Sequence, residues 1–359
     1  MEIEVWQVDA FTAEPFGGNP AGVVPDARGL DAGLMQKIAR EMNLSETAFV
    51  LPATGARSGG HATGAEGEGG RRHSGAPEHG HGPDGGREHG RSTGGGREGD
   101  YDVEVRFFTP TTEVDLCGHA TIATFFALAE RARLPGRPPR ATDGTVLCRQ
   151  RTRAGVLPVE VLFDGDRPVQ VMMAQVPPES RGEPGEEAQQ ELAACLGCDP
   201  GVLQEEPRAT PEIVSTGLWD LIVPVPDRRT LWSLEPDFPR LARLCRRLGV
   251  VSVHCFTFDA IDTGNGGELA VHCRDFAPAV GINEESATGT ASGALGGYLA
   301  LRGLIPFYDG VARLRCEQGH IMGRPSLIHV RLEAFPEGPP RVWVGGAACL
   351  VLEGRILLR

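Results

Sequence analysis

Two stretches decide the reading of this chain: FTPTTEVDLCGHAT, from Phe108 to Thr121, and FAPAVGINEESATG, from Phe276 to Gly289. Each opens on Phe-x-Pro and closes on an Ala-Thr at the head of an apolar run rich in small residues. Each therefore sets a Gly and polar side chains at a predicted helix N-terminus, where unpaired backbone N–H groups and the helix dipole attract an anion. Two such ends facing one another would grip one small carboxylate. The repetition predicts a two-copy architecture, and one acid or base in each half points to proton transfer.

Working outward, the helix predicted from Ala120 to about Leu134 is apolar on nearly every side, with Ile122, Phe125, Phe126, Ala127 and Leu128, so it must be surrounded. Its counterpart, Ala291 to Leu301, is rich in Gly and Ala. Strands are predicted at Ile3 to Phe11, Gly22 to Val24, Ala48 to Leu51 and Tyr101 to Phe108, and a helix capped by Asp31 with Leu34, Ile38 and Met42 on its buried face. In the second half strands are predicted at Leu157 to Phe163, Val169 to Gln175, Leu218 to Val225 and Val253 to Asp259, and helices near Glu187 to Leu196 and Phe238 to Leu248. The last strands, Ile328 to Ala334, Arg341 to Gly345 and Ala347 to Leu352, complete the second sheet or return to the first. The expected fold is α+β: two similar lobes, each a curved, mostly antiparallel, barrel-like sheet around a central helix. Pro135 to Gly144, rich in Pro, Gly and Arg, reads as the crossing between a lobe at 1–140 and a lobe at 145–359.

Composition narrows the chemistry. A net charge of −13 argues against nucleic acid or an acidic membrane as partner, and no apolar run reaches the length of a bilayer span. MEIEVWQVDAF reads as a strand without a leader's basic and apolar regions, so a cytoplasmic location is expected. Nine cysteines in such a chain read as free thiols. Lys37 is the single lysine among 35 basic residues and is spaced to face solvent, which sets aside Schiff-base and pyridoxal chemistry. No GxxxxGK[ST] or GxSxG occurs. Residues 55–100 hold 17 Gly, five His and six Arg with almost no apolar side chain and are expected to be a disordered insertion. The GxGxxG match inside it at Gly80, Gly82 and Gly85 lacks the flanking strand and helix of a dinucleotide site. Cys195 and Cys198 form a CxxC without a second pair, and no metal is expected.

Several residues carry candidate chemistry. His119 stands at the mouth of the first central helix, where an imidazole donates to a substrate, orients a carboxylate, or simply caps the helix. Glu46, in NLSET between a helix end and a strand, would need burial to raise its pKa into the range of a general acid/base. Glu285 precedes the second central helix, where first-turn amides hold a carboxylate; Thr288 and Thr290 offer hydroxyls there. Cys117 sits at a helix N-terminus, an environment that lowers a thiol pKa, or it is a buried inert thiol.

Those residues fall in five ordered segments: VDAFTAEPFGGNPAGVV (8–24), IAREMNLSETAF (38–49), RFFTPTTEVDLCGHAT (106–121), DFAPAVGINEESATGTA (275–291) and GGAACLVLEG (345–354). Together they resemble the PhzF-like isomerase family, and within it the animal branch. The resemblance implies a diaminopimelate-epimerase-type fold with its site in the cleft between two lobes. It implies that Glu46 is the proton shuttle, that His119 is the histidine of the CGHAT motif, and that the Asp and Ser of the family's EDPATGS motif fall on Glu285 and Thr290. This chain departs there: EESATGT puts Glu for Asp, Ser286 for Pro and Thr for Ser. Epimerases of this fold with two cysteines would place the second at Thr288, which disfavours a thiol-pair racemase.

The expected function is a cofactor-independent isomerase that moves a proton within a small carboxylate-bearing metabolite. Glu46, His119 and Glu285 would be catalytic, and Asn19, Gly118, Thr288, Gly289 and Thr290 would bind substrate. Two alternatives stay open: a hydroxyproline-type dehydratase or epimerase using Cys117 as base, and an interaction protein of the same fold with weakened catalysis. Pairing of the chain with itself is also left open.

Overall fold

The computed structural model describes residues 1–53, 101–135, 144–263 and 268–358. The glycine-rich stretch 55–100 lies outside them. The first half runs β1 (Glu2–Ala10), β2 (Asn19–Val24), α1 (Ala32–Met42), β3 (Thr47–Pro52), β4 (Val103–Phe108), β5 (Glu113–Val114), α2 (Gly118–Glu130), β6 (Gly144–Thr152), β7 (Gly155–Asp164) and β8 (Arg167–Ala174). The second runs β9 (Glu179–Gly182), α3 (Glu186–Leu196), β10 (Glu212–Ser215), β11 (Trp219–Pro224), α4 (Arg228–Ser233), α5 (Phe238–Leu248), β12 (Ser252–Thr257), β13 (Leu269–Ala277), β14 (Ile282–Glu285), α6 (Gly289–Leu301), β15 (Val311–Gln318), β16 (Ser326–Glu333), β17 (Arg341–Gly346) and β18 (Ala348–Leu357).

Hydrogen bonding repeats between the halves. β1 pairs antiparallel with β2, β2 parallel with β3, β3 antiparallel with β4, and β4 carries both the short β5 and a parallel β6 that continues through β7 to β8. The same sequence of pairings links β10, β11, β12, β13 with β14, then β15, β16 and β17. The halves join where β8 pairs antiparallel with β17, Met173 opposite Val344. The strand after each half closes the far end: β9 lies on β10, and β18 returns to β1. Side chains repeat as well. Arg106 forks onto Glu113 at 2.7 and 2.8 Å, and Arg274 onto Glu284 at 2.9 Å twice, each Arg two residues before the Phe of its Phe-x-Pro.

This pairing places 144–174 differently from the sequence reading. The three strands after the Pro135–Gly144 stretch join β4 and pack on α2, so the chain that wraps the first central helix runs on to Ala174. β6 went unread because its outward face, with Thr145, Leu147 and Arg149, blurs the alternation of its buried Cys148 and Gln150.

The central helices are enclosed because no charged side chain interrupts their surfaces between His119 and Ala129 or between Thr290 and Leu301, and the hydroxyls of Thr121, Thr124 and Ser292 donate back to carbonyls one turn earlier. Every residue of α2 from His119 to Ala129 is buried, against strands of its own half and β18. Burying a Phe such as Phe125 or Phe126 is worth about 2–3 kcal/mol. In α6 the small residues have a steric cause. A Cβ on Gly296 would stand 2.8 Å from Val330 Cγ1, and one on Gly297 2.5 Å from Pro178 Cβ, so glycine lets strand and helix approach. On the outside, α1 is capped by Asp31 and buries Met35, Ile38 and Ala39; Leu34 and Met42, read as its core face, are half-buried.

Candidate active site

Both central helices begin two residues earlier than read, at Gly118 and Gly289, with Cys117 and Thr288 as their N-caps and no capping side-chain bond at either. The amides of Gly118, His119, Gly289 and Thr290 therefore fall in first turns, where no intrahelical acceptor exists. The two ends face each other. A Cβ on Gly118 would lie 3.8 Å from Thr290 Oγ1 and 3.8 Å from Met173 Cε.

Glu46 enters from the chain just ahead of β3, where its carbonyl accepts from Gly22 N at 3.0 Å. Its side chain is 15% exposed, and Oε2 lies 3.3 Å from His119 Nε2, although that approach is not aligned as a hydrogen bond and no other donor reaches the oxygen. The imidazole is held from both sides, with Ser45 Oγ 3.2 Å from Nε2 and Cys117 Sγ 3.4 Å from Nδ1. Burial pushes His119 below its usual pKa against the pull of the Glu46 charge, so it is a neutral imidazole at pH 7.

Glu285, at the end of β14, comes from the other half. Burial, helped by the charges of Glu46 and Asp275, pushes its carboxyl up to about 8 against a hydrogen bond from Asn19. Two carboxyls thus meet from opposite lobes, and at neutral pH Glu285 holds its proton.

Of the two readings of Cys117, its surroundings favour the buried inert thiol. Burial and the adjacent Glu46 charge push its thiol well above the ordinary range, outweighing the bond from the Ala120 amide. Asn19 and Thr288 were expected to bind substrate, and both are engaged with protein. Asn19 Nδ2 donates to Glu285 Oε2 at 2.5 Å and to the Ala287 carbonyl at 3.0 Å; Thr288 Oγ1 donates to Asp275 at 3.0 Å. They tie the segment from Glu285 to Thr288 to β2 and β13. Gly118, Gly289 and Thr290 lie at the two facing helix ends. Sequence reading missed Ser45, Asp275 and Gln318. The signal for Asp275 was a lone carboxylate in the buried strand LAVHCRDFA. One donor atom each from Glu46, Cys117 and His119 lies within 4.8 Å of the others, compact enough to meet on a soft divalent ion if the thiol gave up its proton.

Comparison with known proteins is decisive here. A family model described as phenazine biosynthesis-like protein matches residues 8–61 and 95–354. The chain belongs to that family. An uncharacterized isomerase of Clostridium acetobutylicum is 32% identical over 354 residues, covering 99% of this chain and 98% of the relative. Trans-2,3-dihydro-3-hydroxyanthranilate isomerase of Pseudomonas aeruginosa is 30% identical over 357 residues, covering 98% of each. Among solved structures, a PhzF-family phenazine biosynthesis protein of Bacillus anthracis superposes with a TM-score of 0.75 at 27% identity over 100% of both chains. A probable proline racemase of Agrobacterium radiobacter shares the fold, with a TM-score of 0.59 at 15% identity over 99% of this chain and 93% of that one. The chain is an isomerase of the phenazine biosynthesis-like family with the diaminopimelate-epimerase-type fold. Among the described residues, no helix is long and apolar enough to cross a membrane.

Proposed function

We propose that this isomerase shifts a proton between two carbons of a small carboxylate-bearing substrate, without a cofactor, with Glu46 as the acid/base. The observation that carries the reading is the Glu46 carboxylate set against a neutral His119 at the mouth of α2, opposite the protonated Glu285. The substrate carboxylate would sit between the helix ends, on the amides of Gly118 and His119 and of Gly289 and Thr290. Glu46 takes a proton from one carbon, the electron pair delocalises toward the substrate's unsaturated system or carboxylate, and the same carboxyl returns the proton to a second carbon. The product is an isomer, so no electron acceptor is consumed. His119 orients Glu46, while Glu285 in its acid form donates a hydrogen bond to charge as it develops, where a buried donor has the greatest effect.

The dihydro-hydroxyanthranilate named for the Pseudomonas aeruginosa relative is one member of this substrate class and the first compound to assay. The reading with Cys117 as base is less well supported, because a thiol held protonated by burial is neither nucleophile nor base at neutral pH. The test is solvent exchange in heavy water over a panel of unsaturated and cyclic amino and hydroxy acids. The wild type should place deuterium on substrate carbon; Glu46→Gln should place none while still binding the same ligand. Deuterium wash-in by Glu46→Gln at the wild-type rate would remove Glu46 from the mechanism.

A further inference from the structure

Asp275 lies on β13 with 0% of its surface exposed, so it touches no substrate. Its Oδ2 accepts from Thr288 Oγ1 at 3.0 Å, and its Oδ1 from Ser252 Oγ at 2.8 Å, with His254 Nδ1 3.0 Å away. Thr288 gives its backbone N–H to Gln318 Oε1 at 3.2 Å. Gln318 Nε2 returns bonds to Thr288 Oγ1 at 3.2 Å and to the Glu285 carbonyl at 2.8 Å. An unbroken run of hydrogen bonds thus ties Asp275 to the backbone of Glu285.

The fold itself does not call for an acid at this place. With Arg106, Phe108 and Pro110 equivalent to Arg274, Phe276 and Pro278, the counterpart of Asp275 in the first half is Phe107, an apolar core residue. Asp275 also has a carboxyl neighbour. Ser252 Oγ stands 2.9 Å from Asp220 Oδ1, and burial together with the Asp275 charge pushes Asp220 well above the usual carboxylate range.

We propose that Asp275 is a positioning residue for the isomerase site: it anchors the mouth of α6 through Thr288 and Gln318, and its carboxylate, in register with Glu285 across the β13–β14 pair, acts on that side chain through its charge. This rests on reading Glu285 as the acid of the reaction. Glu285 is faced by Asn19 of β2, Glu46 ahead of β3, Cys117 at the mouth of α2 and Asp275 of β13. The nearby cations are engaged elsewhere, Arg274 by Glu284 and Arg324 by Asp9. Asp275 is faced in turn by Ser252 and His254 of β12, Asp220 of β11 and Thr288 at the N-cap of α6.

The test needs no substrate. In the full chain, with glutamate carboxyls labelled for carbon NMR, the resonance that Glu285→Gln removes should titrate near 8. In Asp275→Asn, which deletes the charge and keeps an oxygen for Thr288, that midpoint should fall by about one pH unit; in Asp220→Asn it should stay. Equal midpoints in wild type and Asp275→Asn overturn the charge role. Should Asp275→Asn not fold, the anchor is tested at Thr288: Thr288→Val should speed amide hydrogen exchange at Gly289 and Thr290 about tenfold, and Thr288→Ser should not. Equal exchange in those two variants overturns the anchor. Once a substrate is in hand, a shifted midpoint with an unmoved pH–rate profile would count against the reaction and leave the electrostatic role of Asp275 intact.

Discussion

Met173 and Val344 face each other across the β8–β17 pair that joins the two halves, and each packs against the glycine that opens its own half's central helix. Met173 Cε lies 3.8 Å from the place a Gly118 Cβ would take, and Val344 Cγ1 lies 3.4 Å from that of Gly289. The strand pair that joins the halves therefore sets the spacing of the two helix ends.

From that spacing, alanine at the two glycines should act differently. At Gly118 the new methyl meets Met173 and Thr290 only at ordinary contact distance, so the fold tolerates it, but it occupies the gap between the helix ends. At Gly289 it comes within 3.2 Å of the Phe11 ring, and Phe11 is fixed at a positive φ of 65°, so the neighbourhood must shift. Gly118→Ala should keep its Tm within about 3 °C and lose ligand affinity, whereas Gly289→Ala should lose about 1–3 kcal/mol of stability. Thermal melts and ligand titration of both variants check this. A Gly118→Ala protein that binds as wild type would place the carboxylate elsewhere.

Cys117 should be slow to alkylate. Its thiol is buried and held protonated beside the Glu46 charge, and the thiolate is the reacting form. Iodoacetamide at pH 8 should modify Cys198 and Cys349, the two half-buried thiols, before Cys117, and Cys117→Ser should retain turnover within a few-fold. Peptide mapping of the first modified site decides it. Rapid, substrate-protected labelling of Cys117 would restore the thiol-base reading.

The mouths of the central helices were legible in the sequence because each is contiguous: Phe-x-Pro, a polar turn and a small-residue helix. Their first residues were misplaced because glycine is a poor helix former, yet the helices open on Gly118 and Gly289. Glu46 and His119 were legible through the NLSET and CGHAT motifs. The supporting residues were not. Asp275 meets Ser252 across 23 positions and Thr288 across 13, and Gln318 meets Thr288 across 30, partnerships set by strand pairing that no local pattern encodes. The destination of β6 was hidden likewise, since the Pro135–Gly144 stretch looks like a linker whichever sheet receives the strand after it.

Glu285 should make the stability of the protein fall as pH rises. Its carboxyl titrates at about 8 in the folded chain against an ordinary value of 4.5, so between those limits the folded state keeps a proton that the unfolded state has already released. With more protons bound in the folded state, stability decreases with pH: the contribution is full below 4.5, declines through the neutral range and is gone above about 8. The loss is on the order of a few kcal/mol. Glu285→Gln, neutral at every pH and still able to accept from Asn19, should flatten this slope, matching the wild type near pH 4.5 and exceeding it at pH 8. Urea denaturation of both proteins across that range reads the difference, and the subtraction cancels the titrating groups that do not interact with Glu285. Parallel curves for the two proteins would mean that Glu285 is ionised in the folded chain at neutral pH, which would take away the acid opposite Glu46.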